Sequence, residues 1–201
     1  MRLAVFVVAL LVAGAAHAED FLARVMQRLA EPPVVRATFV QERFVGAIAR
    51  PAVSRGRLIV SRREGVLWQI ETPVQVALAF TPTQIIETGP DGLRRLRSQR
   101  RGAVEAEIGH IMRGILGADA DELRADFEAS AEGSLERWTI RLAPKAREVA
   151  RFLKAINLGG ARHLETIEIH EASGDRTAIR LRDYSTAAEL DPDEREQFKA
   201  P

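Results

Sequence analysis

The chain has 201 residues, with 29 basic side chains, 28 acidic side chains and no cysteine. The lack of cysteine excludes disulfide bonds and thiolate chemistry. The near balance of charge argues against general binding to polyanions such as nucleic acids. Stability must therefore come from a hydrophobic core, and the length suits one domain with a sizeable core.

The N-terminus predicts a secretory signal peptide over residues 1–18. Arg2 supplies the positive charge, Leu3–Val12 is the apolar run, and Ala16-His17-Ala18 fits a cleavage site. The run is shorter than the roughly 20 apolar residues that a membrane span needs. Ala15 occupies the place where a lipoprotein signal would carry cysteine, so no N-terminal lipid is expected.

Cleavage would leave one soluble domain at residues 19–201, and the expected compartment is a Gram-negative periplasm. Because Arg2 is lost with the signal, this domain would carry 28 basic and 28 acidic residues. No later segment is apolar enough over a sufficient length to span a membrane. The sequence shows no internal repeat, linker or low-complexity segment.

A helix is predicted directly after the cleavage site, over residues 19–31. Its apolar residues recur every three or four positions, which is the spacing of one buried helix face, and Pro32 and Pro33 end the run. The residues of this face are Leu22, Val25, Met26 and Leu29.

The segment from 34 to 98 has the pattern of β-strands. Val66, Trp68 and Ile70 alternate with their neighbours, and so do the apolar residues from Val74 to Phe80. This period of two places one side of each strand in a core. Turn residues separate the runs at regular intervals, which predicts an antiparallel meander in a sheet or barrel.

A second amphipathic helix is predicted over residues 105–116, inserted between strands where it could cover one face of the sheet. Gly117 would end it. Asp119 and Glu122 then suggest a capping box for a short helix that runs through Leu123. The buried face of the inserted helix would consist of Ile108, Ile111, Met112, Ile115 and Leu116.

The remaining chain predicts four further strands, a third helix and a short C-terminal helix. The strands centre on Phe127–Ala131, on Trp138, Ile140 and Leu142, on Ile167 and Ile169, and on Ile179 and Leu181. The third helix would carry Val149, Phe152, Leu153 and Ile156 on one face and end at Gly159-Gly160. Residues Asp191–Phe198 would pack on the outside. The expected fold class is α+β, a strongly curved antiparallel sheet with helices against it.

No catalytic motif supports an enzyme. His163 and His170 are seven positions apart on a predicted strand, so they would point to opposite faces, and His110 is interpreted as a boundary residue of the inserted helix. The arginine-rich segment 93–101 has two interpretations, a docking patch for anionic lipid or an acidic partner and a solvated hairpin and loop. We favour the second. We expect no enzyme activity, no metal and no cofactor.

The apolar residues of the helices and strands would either fill an ordinary core or line a cavity. Flexible methionine and branched aliphatic side chains suit an adaptable apolar surface, but the sequence does not separate the two alternatives. The candidate cavity residues are Leu22, Val25, Met26, Leu29, Phe39, Leu58, Val60, Trp68, Ile70, Leu78, Phe80, Ile108, Ile111, Met112, Ile115 and Trp138.

An ordered series of short motifs resembles the periplasmic lipoprotein carriers of the LolA type. The series consists of Phe39-Val40-Gln41, Gly56-Arg57-Leu58, the basic turn Arg62-Arg63, the strand around Trp68 and the closing Pro73. The resemblance covers about residues 21–80. It implies an unclosed antiparallel β-barrel with a helical lid over an apolar cavity, in a single domain.

The same resemblance implies a cargo and partners. The cavity would hold acyl chains of a lipoprotein or of another lipid, received from an inner-membrane ABC-type complex and delivered to an outer-membrane acceptor. Arg62 matches an arginine that holds the lid closed by hydrogen bonds, although family members follow it with proline and this chain has Arg63. We expect a monomer without nucleic acid. The alternative is a periplasmic sensing or regulatory protein with the same fold.

Overall fold

The computed structural model describes residues 21–46, 49–97, 114–116 and 120–201. Within them, eleven strands form one antiparallel sheet. The strands are β1 (Val34–Phe44), β2 (Ala52–Ser61), β3 (Gly65–Thr72), β4 (Val76–Phe80), β5 (Ile85–Thr88), β6 (Arg94–Arg97), β7 (Phe127–Ser134), β8 (Arg137–Pro144), β9 (Leu153–Gly160), β10 (Leu164–Glu171) and β11 (Arg176–Ala187). The helices are α1 (21–30), α2 (114–116), α3 (Ala120–Asp126), α4 (Arg147–Ala150) and α5 (Pro192–Gln197).

The sheet consists of two meanders that share one central ladder. Strands β1 to β6 follow one another towards one edge, strands β11 to β7 follow one another towards the other, and β1 pairs with β11 in the middle. Among the described residues β6 and β7 do not pair with each other, so the barrel is open. The unclosed antiparallel sheet expected from the sequence is confirmed.

Alternation along the strands sorts apolar side chains onto two faces. In β2, Leu58 and Val60 belong to the large core on the inner face, whereas Ile59 between them belongs to a smaller core on the outer face. In β3, Val66 and Trp68 face inward and Leu67 faces outward. Consecutive residues of these strands are buried because both faces of this half of the sheet are covered.

Helix α5 covers the outer face, as expected for the acidic C-terminal segment. Leu190 and Phe198 flank the helix and pack on the outer side of the first meander. The Arg36 guanidinium donates two hydrogen bonds of 2.6 Å to the carboxylate of Glu194. Asp191 and Glu194 form a capping box at the start of the helix. Apolar burial and these polar contacts together fix the segment on the sheet.

The pairing of Phe39 with Gly56 explains two of the sequence motifs. These residues lie opposite each other in β1 and β2. A Cβ atom at position 56 would lie 2.9 Å from Cζ of Phe39 and 1.8 Å from the carbonyl oxygen of Gln69. Only glycine leaves room here for both the aromatic ring and the neighbouring strand.

The third helix expected from the sequence is wrong over most of its length. Only Arg147–Ala150 is helical, and the residues from Leu153 to Gly160 form β9 between β8 and β10. The helical spacing of Leu153 and Ile156 coexists with an alternating pattern in which Ile156 and Leu158 face the inner core. Pairing with two neighbouring strands outweighs the local helical preference.

The other predicted helices are described in part. The chain is helical over 21–30, and residues 114–116 form a turn of helix in which Ile115 and Leu116 are buried. Residues 1–20 and 98–113, with the predicted signal peptide and most of the inserted helix, lie outside the described residues, as does the predicted cap at Asp119. No helix in the described ranges has the length and apolarity that crossing a membrane requires.

Candidate functional site

The candidate site is the interior between α1 and the inner face of the sheet. Thirteen of the sixteen predicted cavity residues belong to one core cluster or pack directly against it. Ile108, Ile111 and Met112 lie outside the described residues. The residues brought together are Leu22, Val25, Met26, Leu29, Phe39, Leu58, Val60, Trp68, Ile70, Leu78, Phe80, Ile115 and Trp138. Whether they bind a cargo stays a prediction.

Aromatic side chains form the floor of this interior in each half of the sheet. The rings of Phe39 and Trp68 stack with their centroids 4.0 Å apart. In the other half, Trp138 is 1% exposed and its indole Nε1 donates a 2.7 Å hydrogen bond to the carbonyl of Ala161. The polar atom of a buried indole needs such a partner, so the orientation of Trp138 is fixed and the floor there is rigid.

Two arginines connect α1 to the two halves of the sheet. Nη2 of Arg62, in the turn between β2 and β3, donates a 2.5 Å hydrogen bond to the carbonyl oxygen of Leu29. From the helix itself, Nη1 of Arg28 donates a 2.7 Å bond to the carbonyl of Leu135, in the turn between β7 and β8. Helix α1 is therefore fastened across the interior from both sides.

The contact of Arg62 follows from the physics of helix ends. The last four carbonyls of a helix lack partners within the helix, and Leu29 is the penultimate residue of α1. The partial negative charge at this end favours a cation. Burial of Arg62 lowers the pKa of its guanidinium from the usual value, yet a guanidinium stays protonated in proteins. The hydrogen bond is therefore charged under all physiological conditions.

The described residues enclose a small void within this apolar interior. This void lies beneath the end of α1 and has a volume of about 40 Å³. Since a water molecule needs about 10–15 Å³ of such volume, it has room for about three waters and not for an acyl chain. Its lining consists of Leu29, Val35, Leu58, Val60, Arg62, Ile115, Leu116, His163, Leu164, Leu181 and Tyr184. A larger ligand can occupy this void only if the residues that line it move.

The polar rim of the void contains residues that the sequence did not identify as part of a site. The His163 ring stacks on Tyr184 with centroids 4.5 Å apart, and the Tyr184 hydroxyl donates a hydrogen bond to the carbonyl of Leu164. Burial raises the pKa of Tyr184 and lowers the pKa of His163. Tyr184 follows Asp183, whose positive φ of 53° lies where the β1–β11 register shifts. This bulge brings Tyr184 to the void, and no motif in the sequence predicts the bulge.

The remaining candidates lie away from the interior. His170 contacts the side-chain amide of Asn157 at 3.2 Å and does not meet His163. Arg55, Arg57 and Arg63 are exposed, as the sequence indicated. Over the described part of the chain, no group of three or more histidine, aspartate or glutamate side chains could hold a metal ion.

These observations define a fold class, an open antiparallel sheet with a helix fastened over an apolar inner face. The model of the family described as outer membrane lipoprotein carrier protein LolA matches residues 33–199, and the chain belongs to this family. The family and the fold together suggest the binding of a lipid or lipoprotein.

Two solved structures are similar to this chain, and the first of them supports the fold. A LolA superfamily protein from Nitrosomonas europaea shares 12% sequence identity, with a TM-score of 0.52 over 91% of this chain and 97% of that chain. An outer membrane lipoprotein-sorting protein domain from Vibrio parahaemolyticus shares 10% identity, with a TM-score of 0.47 over 89% of this chain and 96% of that chain. A search of curated protein sequences found no significant match.

Proposed function

We propose that this protein is a periplasmic carrier that binds the acyl chains of a lipoprotein, or of a related lipid, between α1 and the sheet. It would take its cargo from an inner-membrane ABC-type complex and deliver it to an outer-membrane acceptor. One observation supports this proposal above all: a continuous apolar inner face lies under a helix whose C-terminal end is held by the hydrogen bond from Arg62 to Leu29.

On binding, the acyl chain of the cargo would replace the apolar face of α1 as the partner of the sheet. Burial of a 16-carbon chain stabilises the complex by on the order of 12 kcal/mol, from about 0.8 kcal/mol per CH₂. Displacing α1 would expose Leu22, Val25 and Met26, all at most 2% exposed in this conformation. Full exposure of the three would cost roughly 5–9 kcal/mol. The small difference between these two quantities makes cargo binding reversible, which a carrier requires.

Native mass spectrometry of protein purified from the periplasm tests the proposal. Co-purifying acylated species are expected with the wild type. Val60→Phe adds bulk at the void and should reduce the loaded fraction, whereas Val53→Phe, at a partly exposed position of the same strand, should not. Protein that carries no acyl ligand under gentle purification would refute lipid binding.

A transfer experiment separates a carrier from a sensing or regulatory protein. Loaded protein is mixed with outer-membrane vesicles, and the acylated species is then followed by mass spectrometry in the protein and vesicle fractions. Movement of the cargo into the vesicles supports the carrier. Retention of all cargo on a correctly folded protein contradicts it and favours the sensing alternative.

A further inference from the structure

The void beneath α1 is polar at its rim and apolar inside. Arg62, His163 and Tyr184 lie at the rim and are partly buried. Leu58 and Leu181, which line the same void, are 3% and 4% exposed. All these residues lie at one end of the sheet, where β2 and β11 end and β10 begins.

We propose that the rim is a subsite for an anionic head group, a carboxylate or a phosphate, of an amphiphilic ligand whose hydrocarbon chain points inward. This inference rests on the proposed lipid-binding function and deepens it, because it specifies the chemical class of the ligand. Arg62 supplies the positive charge, and a nitrogen of His163 supplies a hydrogen-bond donor. The chain would continue along Leu58 and Leu181.

The side chains of His163 and Tyr184 are held in fixed positions at the rim. The His163 ring is kept in place by stacking on Tyr184, whose hydroxyl is itself bound to the carbonyl of Leu164. A fixed ring loses little freedom when it binds a ligand. The exposed Arg162 and Glu165 act on the pKa of His163 with opposite signs. Among the described residues that line the void, Arg62 is the permanently charged cation.

The half-buried position strengthens the interaction with an anion. A guanidinium and a carboxylate or phosphate attract each other more strongly where water is partly excluded. Because a hydrogen bond to a charged group contributes about 1.5–3 kcal/mol, an anionic head should bind about tenfold more tightly than an uncharged one on the same chain. A cationic head should bind more weakly than either.

The test uses the full protein and displacement of the neutral fluorescent probe N-phenyl-1-naphthylamine. The competitors are dodecanoate, methyl dodecanoate, dodecyltrimethylammonium and inorganic phosphate, each below its micelle concentration. We expect dodecanoate to compete about tenfold better than its methyl ester and inorganic phosphate not to compete. Equal affinity for acid and ester, or competition by phosphate alone, would overturn the head-group subsite. Failure of all three amphiphiles to displace the probe would instead refute lipid binding itself.

A variant tests whether the rim causes the preference for an anionic head group. His163→Leu should weaken dodecanoate about tenfold and leave methyl dodecanoate within twofold of the wild type. His170→Leu, which changes the histidine that contacts Asn157 outside the void, is the matched control and should change neither ligand. An equal loss for acid and ester in His163→Leu would contradict a role for this residue in recognising the head group.

Discussion

Replacement of Arg62 by leucine should make the protein retain a ligand whose head group is uncharged. In this conformation Arg62 donates a 2.5 Å charged hydrogen bond to the carbonyl oxygen of Leu29. Because the side chain is half-buried, we take the lower end of the range for such bonds, about 1.5 kcal/mol. A ligand with an uncharged head group does not use the charge of Arg62, so for such a ligand loss of this bond destabilises the closed state alone. The equilibrium should therefore shift about tenfold towards the open state that accepts ligand.

The assay compares the ligand-bound fraction and the rate of ligand transfer to acceptor vesicles. Arg62→Leu should leave the periplasm more heavily loaded and release its ligand about tenfold more slowly. Arg57→Leu is the matched control, because Arg57 lies on the same hairpin, is exposed and pairs with Glu71 at 2.7 Å. Loading and transfer equal to those of the wild type in Arg62→Leu would refute the reasoning.

Three further predictions concern stability, each measured by thermal unfolding. Phe198→Ala removes a side chain that is 5% exposed and should cost about 3 kcal/mol, lowering Tm by about 6–12 °C. Gly56→Ala should cost about 3 kcal/mol because its Cβ would meet Phe39 and the backbone of β3; an unchanged Tm would contradict the close approach. Burial alone would raise the pKa of Glu194, but hydrogen bonds from Arg36 and a backbone amide hold this pKa below its ordinary value. The ionised Glu194 therefore stabilises the folded protein at neutral pH, and this stabilisation is lost as the pH falls through the lowered pKa. Glu194→Gln should therefore reduce the loss of Tm between neutral pH and pH 3.

The local pattern was sufficient to predict the first meander and the faces of its strands. Leu58, Val60 and Trp68 alternate with residues of the opposite face, and this period does not depend on distant contacts. The segment from Leu153 to Gly160 was mispredicted because its apolar spacing fits a helix as well as a strand. The ladders with β8 and β10 decide between them, and such pairing is not readable from a short window.

Only part of the site was predicted, because the rest depends on pairing between distant strands. The buried face of α1 and the position of Arg62 follow from periodicity and from the family motifs. The stack of His163 on Tyr184 depends on a register shift at Asp183 and on pairing between strands. A single tyrosine in a strand carries no signal that it borders a void.

The central ladder has a consequence for how the chain folds. Strand β1 pairs with β11, and even Phe44 and Arg176, the partners closest in sequence, come from opposite ends of the chain. Pairing of strands so distant in sequence loses much chain entropy before the new contacts can offset the loss, so folding should be slow. The two meanders can unite only after the last strand has been synthesised. Truncation before β11 would therefore leave two separate half-sheets with exposed apolar faces, although chain ends usually tolerate such changes.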